Sequence, residues 1–299
     1  MNLIKPKKLQ QGSTISIVAP AGNVDKSKLQ VGINYLKKQG YKVKLGENLF
    51  NQNKYLAGKD EERAFDINQA FADTETDAII CARGGYGAIR LLDKLDFTTI
   101  RNNPKIFCGY SDITALSAII LKKSGLITFS APMIQSDFSN NEIDKFTETN
   151  FWETLTSSKI TIKPNNPNFY FCGAAQGITF GGNLATLVSL AGIDFIPDEK
   201  FILFAEDINE DVYKIDKYFR QLLNIPKFKK NISGIVLGDF IEIDNEIWLD
   251  NLFKELAIEL QIPVISDYPI SHSRHKATVP YGANAILNEN GNLEIIYLF

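Results

Sequence analysis

The chain has 299 residues and a formal net charge of −3, with 44% hydrophobic and 22% charged residues. This length suits two domains or one large one, and the composition is that of a globular protein rather than a disordered one. A nucleic-acid surface is not expected, because phosphate binding needs clustered excess lysine and arginine. No apolar run approaches the ~20 residues that cross a bilayer, and residues 1–11 contain no signal-peptide core. We therefore expect a cytoplasmic protein with no membrane contact.

The chain contains three cysteines, Cys81, Cys108 and Cys172. Their odd number and wide spacing argue against a disulfide scaffold and against a cysteine-rich metal site. They fit a reducing compartment, which agrees with the expected cytoplasmic location.

The first half of the chain alternates strand-like and helix-like segments. The predicted strands are residues 14–19, 41–45, 78–82 and 105–110, and the predicted helices are residues 26–39, 60–71, a segment through 89, 92 and 95, and 111–123. This alternation predicts a three-layer α/β domain over residues 1–150. In such domains the functional residues gather at the carboxyl ends of the strands.

The second half has a different pattern. Residues 140–168 are polar and include Pro164 and Pro167, so we expect a linker, which we assign to residues 151–175. Residues 176–299 are predicted to form a β-richer domain with strands at 201–205 and 234–238 and a helix at 212–223. A hairpin is predicted at the C-terminus, with strands 285–287 and 293–298 joined by an Asn- and Gly-containing turn.

A glycine-rich turn, Arg83-Gly84-Gly85-Tyr86-Gly87, follows the predicted buried strand 78–82. It lacks the dinucleotide fingerprint, because Arg90 stands where a third small residue is needed, and it lacks the P-loop pattern. Backbone N–H groups in such a turn can form an oxyanion hole. The alternative at this point is a tight turn without a catalytic role.

Ser111 lies between a predicted strand and a predicted helix, in Gly109-Tyr110-Ser111-Asp112. This placement is typical of a nucleophile elbow, which displays a hydroxyl at the edge of a sheet. The second flanking glycine of that motif is replaced by Ile113. Serine before a helix is also a common N-cap, so capping is the alternative.

The chain has two histidines, His272 and His275, so a serine nucleophile with a histidine base leaves two candidates. Their spacing could suggest a metal pair, but no nearby Cys, Asp or Glu completes a ligand set. Glu206 and Asp207 follow the strand 201–205 and are placed to orient an imidazole. The alternatives are surface histidines without a role and a solvated acidic turn.

Several motifs occur in one order along the chain: Val18-Ala19-Pro20-Ala21-Gly22, Tyr55-Leu56-Ala57-Gly58, Arg83-Gly84-Gly85-Tyr86-Gly87, Gly109-Tyr110-Ser111-Asp112-Ile113-Thr114, Gly181-Gly182-Asn183-Leu184, Glu206-Asp207, and Pro269, His272 and Pro280-Tyr281-Gly282. In this order the chain resembles the LD-carboxypeptidase family of serine peptidases from about residue 12 to residue 290. That family also includes the microcin-immunity peptidases.

The resemblance implies a triad of Ser111 as nucleophile, Glu206 as orienting acid and His272 as base. It implies an oxyanion hole made by the backbone N–H groups of Gly85 and Asp112, with no metal and no cofactor. The family usually has glycine before the histidine, where this chain has Ser271.

The resemblance also implies a flavodoxin-like N-terminal domain, a smaller swivelling-type C-terminal domain and a homodimer. The implied activity is release of the terminal D-alanine from murein tetrapeptide in cell-wall recycling. Arg83, Tyr86 and Arg274 are candidates for substrate binding. The alternatives are a microcin-type peptidase that acts on aminoacyl-nucleotide conjugates and a small-molecule binding protein without turnover.

Overall fold

The computed structural model describes residues 2–139 and 142–297, and its strands and helices occur in two sheets with flanking helices. The strands are β1 (Thr14–Val18), β2 (Lys42–Leu45), β3 (Ala78–Cys81), β4 (Ile106–Cys108), β5 (Thr128–Ser130), β6 (Lys159–Ile162), β7 (Phe169–Phe171), β8 (Ala175–Asn183), β9 (Phe201–Ile208), β10 (Ile232–Ile241), β11 (Val264–Ile265), β12 (Val279–Tyr281), β13 (Asn284–Leu287) and β14 (Leu293–Ile296). The α-helices are α1 (Lys26–Lys38), α2 (Asp60–Ala72), α3 (Phe97–Asn102), α4 (Thr114–Ser124), α5 (Ile134–Asp137), α6 (Lys145–Thr156), α7 (Leu184–Val188), α8 (Val212–Leu223), α9 (Pro226–Asn231) and α10 (Glu246–Leu260).

The first sheet has the strand order β12-β5-β4-β3-β1-β2. Strands β1 to β5 are parallel, and only β12 at the edge runs antiparallel. Every residue of β1, β3 and β4 is buried. The helices on both faces of a parallel sheet cover such strands, which is why their sequences are largely apolar. The order of the five parallel strands is the flavodoxin-like one. The predicted parallel α/β domain is therefore confirmed.

Hydrogen bonds to capping residues and residues with positive φ mark the ends of helices in this domain. The side chain of Asp25 accepts hydrogen bonds from the backbone N–H groups of Ser27 and Lys28 and caps α1, and the chain leaves that helix at Gly40 with φ of +88°. The helix predicted after Gly87 is shorter than expected. A single 3₁₀ turn covers Ala88–Leu91, and α3 starts only after the capping residue Asp96.

The second sheet has the order β6-β14-β13-β8-β9-β10-β11-β7. Its centre, β8 to β11, is parallel, and the remaining pairs are antiparallel. The predicted β-rich C-terminal half and its hairpin, β13 with β14, are confirmed. The last residue of the predicted hairpin, Leu298, lies outside the described residues.

Residues 151–175 are more structured than a linker. They contain the end of α6 and two strands of the second sheet, since β6 pairs with β14 and β7 pairs with β11. Proline at 164 and 167 lies between these strands rather than in a free connection. Asn140 and Asn141, at the start of the polar stretch, lie outside the described residues. Strand β12 lies between β11 and β13 in the chain, but it pairs with β5 of the first sheet instead of joining the second sheet.

The two sheets meet close to the predicted nucleophile. A Cβ atom at Gly182, where φ is +114°, would lie 2.6 Å from the hydroxyl oxygen of Thr114, so only glycine allows this approach. The hydroxyl of Thr114 also accepts a hydrogen bond of 3.2 Å from the N–H of Asn183. The carboxyl end of β8 therefore packs against the first turn of α4.

No helix in the described part of the chain combines the length and the apolar character that a membrane span requires.

Candidate active site

Ser111 lies on a strained turn between β4 and α4. Its φ is +63°, in the left-handed region that non-glycine residues rarely adopt. Backbone strain of this kind typically costs about 1–3 kcal/mol and is common at functional sites. A Cβ atom at Gly109 would lie 2.8 Å from the nearest side-chain carbon of Ile113, so glycine before the turn makes room for isoleucine after it. Isoleucine can therefore occupy position 113, where the elbow motif usually has its second glycine, because position 109 is glycine.

His272 lies on the loop between β11 and β12, and its ring contacts both predicted partners. Its Nε2 atom is 2.9 Å from Oγ of Ser111, and its Nδ1 atom is 2.5 Å from Oε2 of Glu206. The side chains of His272 and Glu206 are only 14% and 4% exposed. The structure thus joins Ser111, His272 and Glu206 in one hydrogen-bonded chain.

Ser271, which stands where the family pattern has glycine, is buried and contributes to the shape of this loop. Its hydroxyl accepts a hydrogen bond of 2.8 Å from the backbone N–H of Ser273. Such local bonds from serine stabilise tight turns. Serine at this position therefore supports the loop while His272 still reaches Ser111.

Glu206 and Asp207 are neighbours on β9 and point to opposite faces of the sheet. Asp207 accepts hydrogen bonds of 2.8 Å from the side-chain amide of Asn183 and from the N–H of Ala185 at the start of α7. Burial raises the pKa of Asp207 to about 6. Asp207 therefore anchors α7, while Glu206 is the carboxylate that faces His272.

His275 lies apart from this chain of hydrogen bonds. Its side chain is 48% exposed, its Nδ1 atom is 3.3 Å from Oδ1 of Asp144, and its ring stacks on Phe146 with 4.4 Å between ring centroids. Arg274 is also exposed, and its guanidinium donates to the backbone carbonyl of Glu142. Both side chains point towards the start of α6 rather than towards Ser111.

The glycine-rich turn after β3 packs directly against Ser111. A Cβ atom at Gly84 would lie 3.0 Å from Cβ and 3.2 Å from Oγ of that serine, so any larger residue would press against the Ser111 side chain. Gly85 has φ of +118° and is exposed at the same edge of the sheet. Tyr86 is exposed as well, and its ring lies 5.8 Å from that of Tyr55.

Two buried charged side chains fasten this turn. Oδ2 of Asp112 accepts a hydrogen bond of 2.8 Å from the N–H of Ala88, and burial raises the pKa of Asp112 to about 6. Arg63 donates to the carbonyl of Gly87 at 3.0 Å and also to the carbonyl of Pro20. The turn is therefore tied both to Asp112, the residue after Ser111, and to the loop that follows β1.

A buried ion pair close to the hydrogen-bonded chain of Ser111, His272 and Glu206 is a feature that sequence reasoning missed. Nζ of Lys276 lies 2.6 Å from Oδ1 of Asp137 and 3.0 Å from the hydroxyl oxygen of Tyr110. The ring of Tyr110 in turn makes an edge contact with the imidazole of His272, at 5.2 Å between centroids. Lys276 and Asp137 are 139 positions apart, so no local pattern links them. A lysine four residues after His272 was the only available signal in the sequence.

We expect Lys276→Met to destabilise the fold strongly. The Lys276 and Asp137 side chains are only 4% and 8% exposed, so the substitution leaves a buried carboxylate without its cation. Breaking a buried pair in this way typically costs about 3–5 kcal/mol of unfolding free energy. Urea unfolding followed by circular dichroism measures the loss.

The matched control is Lys254→Met, which breaks an i,i+4 pair with Asp250 whose side chains are 56% and 37% exposed. We expect that control to cost less than about 1 kcal/mol. Equal unfolding midpoints for the two variants would contradict a structural role for the buried pair.

Comparison with known proteins finds matches over both halves of the chain. A family model described as the LD-carboxypeptidase N-terminal domain matches residues 15–131, and a model of the LD-carboxypeptidase C-terminal domain matches residues 176–287. A probable murein peptide carboxypeptidase of Bacillus subtilis is 36% identical over 292 residues, which cover 95% of this chain and 91% of that protein. The crystal structure of a muramoyltetrapeptide carboxypeptidase from Oxalobacter formigenes superposes with a TM-score of 0.88 at 34% identity, covering 95% of this chain and 98% of that one.

The microcin C7 self-immunity protein MccF of Escherichia coli is a more distant relative. It is 29% identical and covers 96% of this chain and 94% of its own length. MccF has been solved in complex with aspartyl sulfamoyl adenosine, and that structure superposes with a TM-score of 0.88 at 28% identity, covering 98% of this chain and 99% of that one. With both domain models matched and the Bacillus relative aligned over nearly its full length, this chain belongs to the LD-carboxypeptidase family.

Proposed function

We propose that this protein is a serine LD-carboxypeptidase that hydrolyses the peptide bond releasing D-alanine from the end of murein tetrapeptide. The observation that carries the proposal is the hydrogen-bonded chain from Ser111 through His272 to Glu206. A serine hydroxyl, an imidazole and a buried carboxylate in this order are the components of a catalytic triad.

In the proposed mechanism, His272 accepts the Ser111 proton at Nε2 while Oγ attacks the carbonyl carbon of the scissile bond. The bond to Glu206 holds the neutral imidazole with its proton on Nδ1 and balances the positive charge that develops on the ring. His272 then gives its proton to the leaving amine of D-alanine. A water molecule then gives a proton to Nε2 of His272 and attacks the acyl carbon. The ester bond to Oγ of Ser111 breaks, and His272 returns the proton to that oxygen, so the proposed steps require no metal or cofactor.

The backbone N–H groups of Gly85 and Asp112 are the proposed oxyanion hole. The support is that Gly84 packs against Ser111, and that Asp112 is the second residue of the 3₁₀ turn Ser111–Ile113, where the first N–H groups have no partner within the turn. One such donor is typically worth about 3 kcal/mol of transition-state stabilisation. The bonds of Asp112 and Arg63 to the glycine-rich turn would hold these donors in place before substrate binds.

The proposed substrate follows from the named activities of the relatives in Bacillus and Oxalobacter. The microcin-type alternative requires a surface that holds a nucleobase, usually by aromatic stacking. Between α7 and β9, residues 189–200 contain one aromatic side chain, Phe195, which is buried in the core. Exposed aromatic rings do occur at the glycine-rich turn and beside it, at Tyr86 and Tyr55, so the cell-wall peptide is proposed on the named activities of the relatives.

We expect strict selectivity for the D-configuration of the released residue. A pocket that fits a D-methyl group beside a carboxylate directs the L-methyl group into its wall. A misfit of one methyl group alone is worth about 10–200-fold in kcat/KM. We therefore predict about 10–200-fold faster release of D-alanine than of L-alanine, measured by mass spectrometry on two tetrapeptides that differ only in the last residue.

The same assay distinguishes the alternatives. Cleavage of both epimers at equal rates would contradict the stereochemical assignment. Turnover of an aminoacyl-adenylate analogue without turnover of the peptides would indicate the microcin-type activity. Binding of the peptide without product would indicate a binding protein.

A cytoplasmic location and a homodimer are part of the same proposal. The three cysteines are free in the structure, with Cys81 and Cys108 buried and Cys172 exposed, which suits a reducing compartment. The homodimer is carried over from the family. Light scattering coupled to size-exclusion chromatography tests it directly.

A further inference from the structure

A carboxypeptidase must distinguish the last residue of a peptide from an internal one. The distinguishing group is the free α-carboxylate, which is usually recognised by a cation with additional hydrogen-bond donors. One residue spans at most ~3.6 Å. The carboxylate therefore lies about one residue beyond the scissile carbonyl, and the cation that binds it must lie close to the nucleophile.

Most cations around Ser111 already have partners that occupy them. Lys276 pairs with Asp137, and Arg90 makes a bidentate pair with Asp60. Arg63 is fully buried and bonds Asp60 and two backbone carbonyls. Arg274 is exposed and donates to a carbonyl beside α6. None of these four is positioned to receive a carboxylate at Ser111.

Arg83 differs because its hydrogen-bond partners are neutral. Its Nε donates to the carbonyl of Gly84 at 3.2 Å, and its Nη1 donates to the carbonyl of Asn23 at 3.3 Å. Within residues 2–139 and 142–297, no carboxylate forms an ion pair with this half-buried guanidinium. Charges that are withdrawn from water are normally paired, so an uncompensated one suggests a ligand.

The guanidinium also lies beside the reaction centre. Gly84, whose carbonyl it bonds, is the residue whose added Cβ atom would lie 3.2 Å from Oγ of Ser111. An added Cβ atom at Gly85, the proposed oxyanion donor, would lie 3.7 Å from Nη2 of Arg83. A guanidinium has five N–H donors, and two atoms of this one are engaged, which leaves donors on the Nη side.

From this placement we infer that Arg83 binds the free α-carboxylate of the substrate's terminal residue and so restricts the enzyme to chain ends. The inference rests on the proposed peptidase function. It assigns recognition of a terminal carboxylate to Arg83 rather than to Arg274.

The test compares a murein tetrapeptide that ends in D-alanine with the same peptide ending in D-alaninamide. For the wild-type protein we expect kcat/KM to be at least about 30-fold lower for the amide, the low end for losing one partner of a buried charge pair. Arg83→Met should lose the same factor for the free acid and change the amide rate by less than about threefold. Arg83→Lys should recover part of the preference, because it keeps the charge and loses the fork geometry.

The matched control is Arg101→Met, an exposed arginine on α3 whose loss changes the net charge equally. We expect this variant to keep the full preference for the acid. A parallel measurement uses calorimetry on the Ser111→Ala variant, where the acid peptide should bind and the additional Arg83→Met change should abolish that binding.

The possible outcomes separate the inference from the proposed function. Equal wild-type rates for acid and amide, an equal loss on both peptides in Arg83→Met, or loss of the preference in Arg274→Met instead would each overturn the role of Arg83. Absence of turnover by the wild type, combined with Arg83-dependent binding of the acid, would reject the peptidase function and leave the carboxylate site in place.

Discussion

Ser111→Ala is expected to lower kcat for the murein tetrapeptide by about six orders of magnitude. The substitution removes the Oγ atom that lies 2.9 Å from Nε2 of His272, so no acyl-enzyme can form. In the serine peptidase subtilisin, loss of the nucleophile has an effect of this size. Release of D-alanine, quantified by mass spectrometry over long incubations, measures the residual rate.

The fold should survive this substitution. Alanine differs from serine only by the missing hydroxyl group, so it fits the same space. His272 loses one hydrogen-bond partner, and because its side chain is partly exposed, water can replace that partner. Thermal unfolding of the variant is the control. A folded variant that keeps a tenth of the wild-type rate would rule out Ser111 as the nucleophile.

His272→Ala should have an effect of similar size, whereas His275→Ala should have almost none. Only the ring of His272 contacts both Ser111 and Glu206, and removal of a catalytic histidine in subtilisin costs about as much as removal of the serine. His275 is half exposed, and its nearest acid is Asp144. Surface substitutions of this kind change the free energy of unfolding by about 0.5 kcal/mol or less. Because His275 contacts neither Ser111 nor Glu206, we expect the rate of this variant to stay within about threefold of wild type.

The two histidine variants serve as controls for each other, because they make the same chemical change three residues apart. Both are compared by kcat/KM on the same tetrapeptide, and His272→Gln provides a polar replacement that keeps the side-chain volume more nearly. An inactive His275→Ala together with an active His272→Ala would reverse the assignment of the base.

Much of the architecture is readable from local sequence. Buried strands β1, β3 and β4 are short apolar runs, α1 is framed by Asp25 and Gly40, and α8 covers the residues predicted for it. These elements depend on side-chain periodicity and capping, which involve residues a few positions apart. The resemblance of ordered motifs then identified the family and its candidate triad.

Other features follow from long-range packing and were not readable in this way. Residues 151–175 contain β6 and β7, which pair with β14 and β11 at the two edges of the second sheet. Strand β12, from the C-terminal half of the chain, pairs with β5 and extends the first sheet. Edge strands carry a weak local signal, since their stability comes from pairing with distant strands.

For the site itself, the sequence alone determined the candidates: a serine at a strand-to-helix turn, two histidines and two adjacent carboxylates. The resemblance to the family selected His272 and Glu206 among them, and the tertiary structure shows the contacts, because His272 approaches a serine 161 positions away and a glutamate 66 positions away. The tertiary structure also shows which carboxylate faces the imidazole, and it brought Lys276 to Asp137. The physical reason is that hydrogen bonds and ion pairs act over about 3 Å, and distances of that size between remote residues are set by how the two sheets pack.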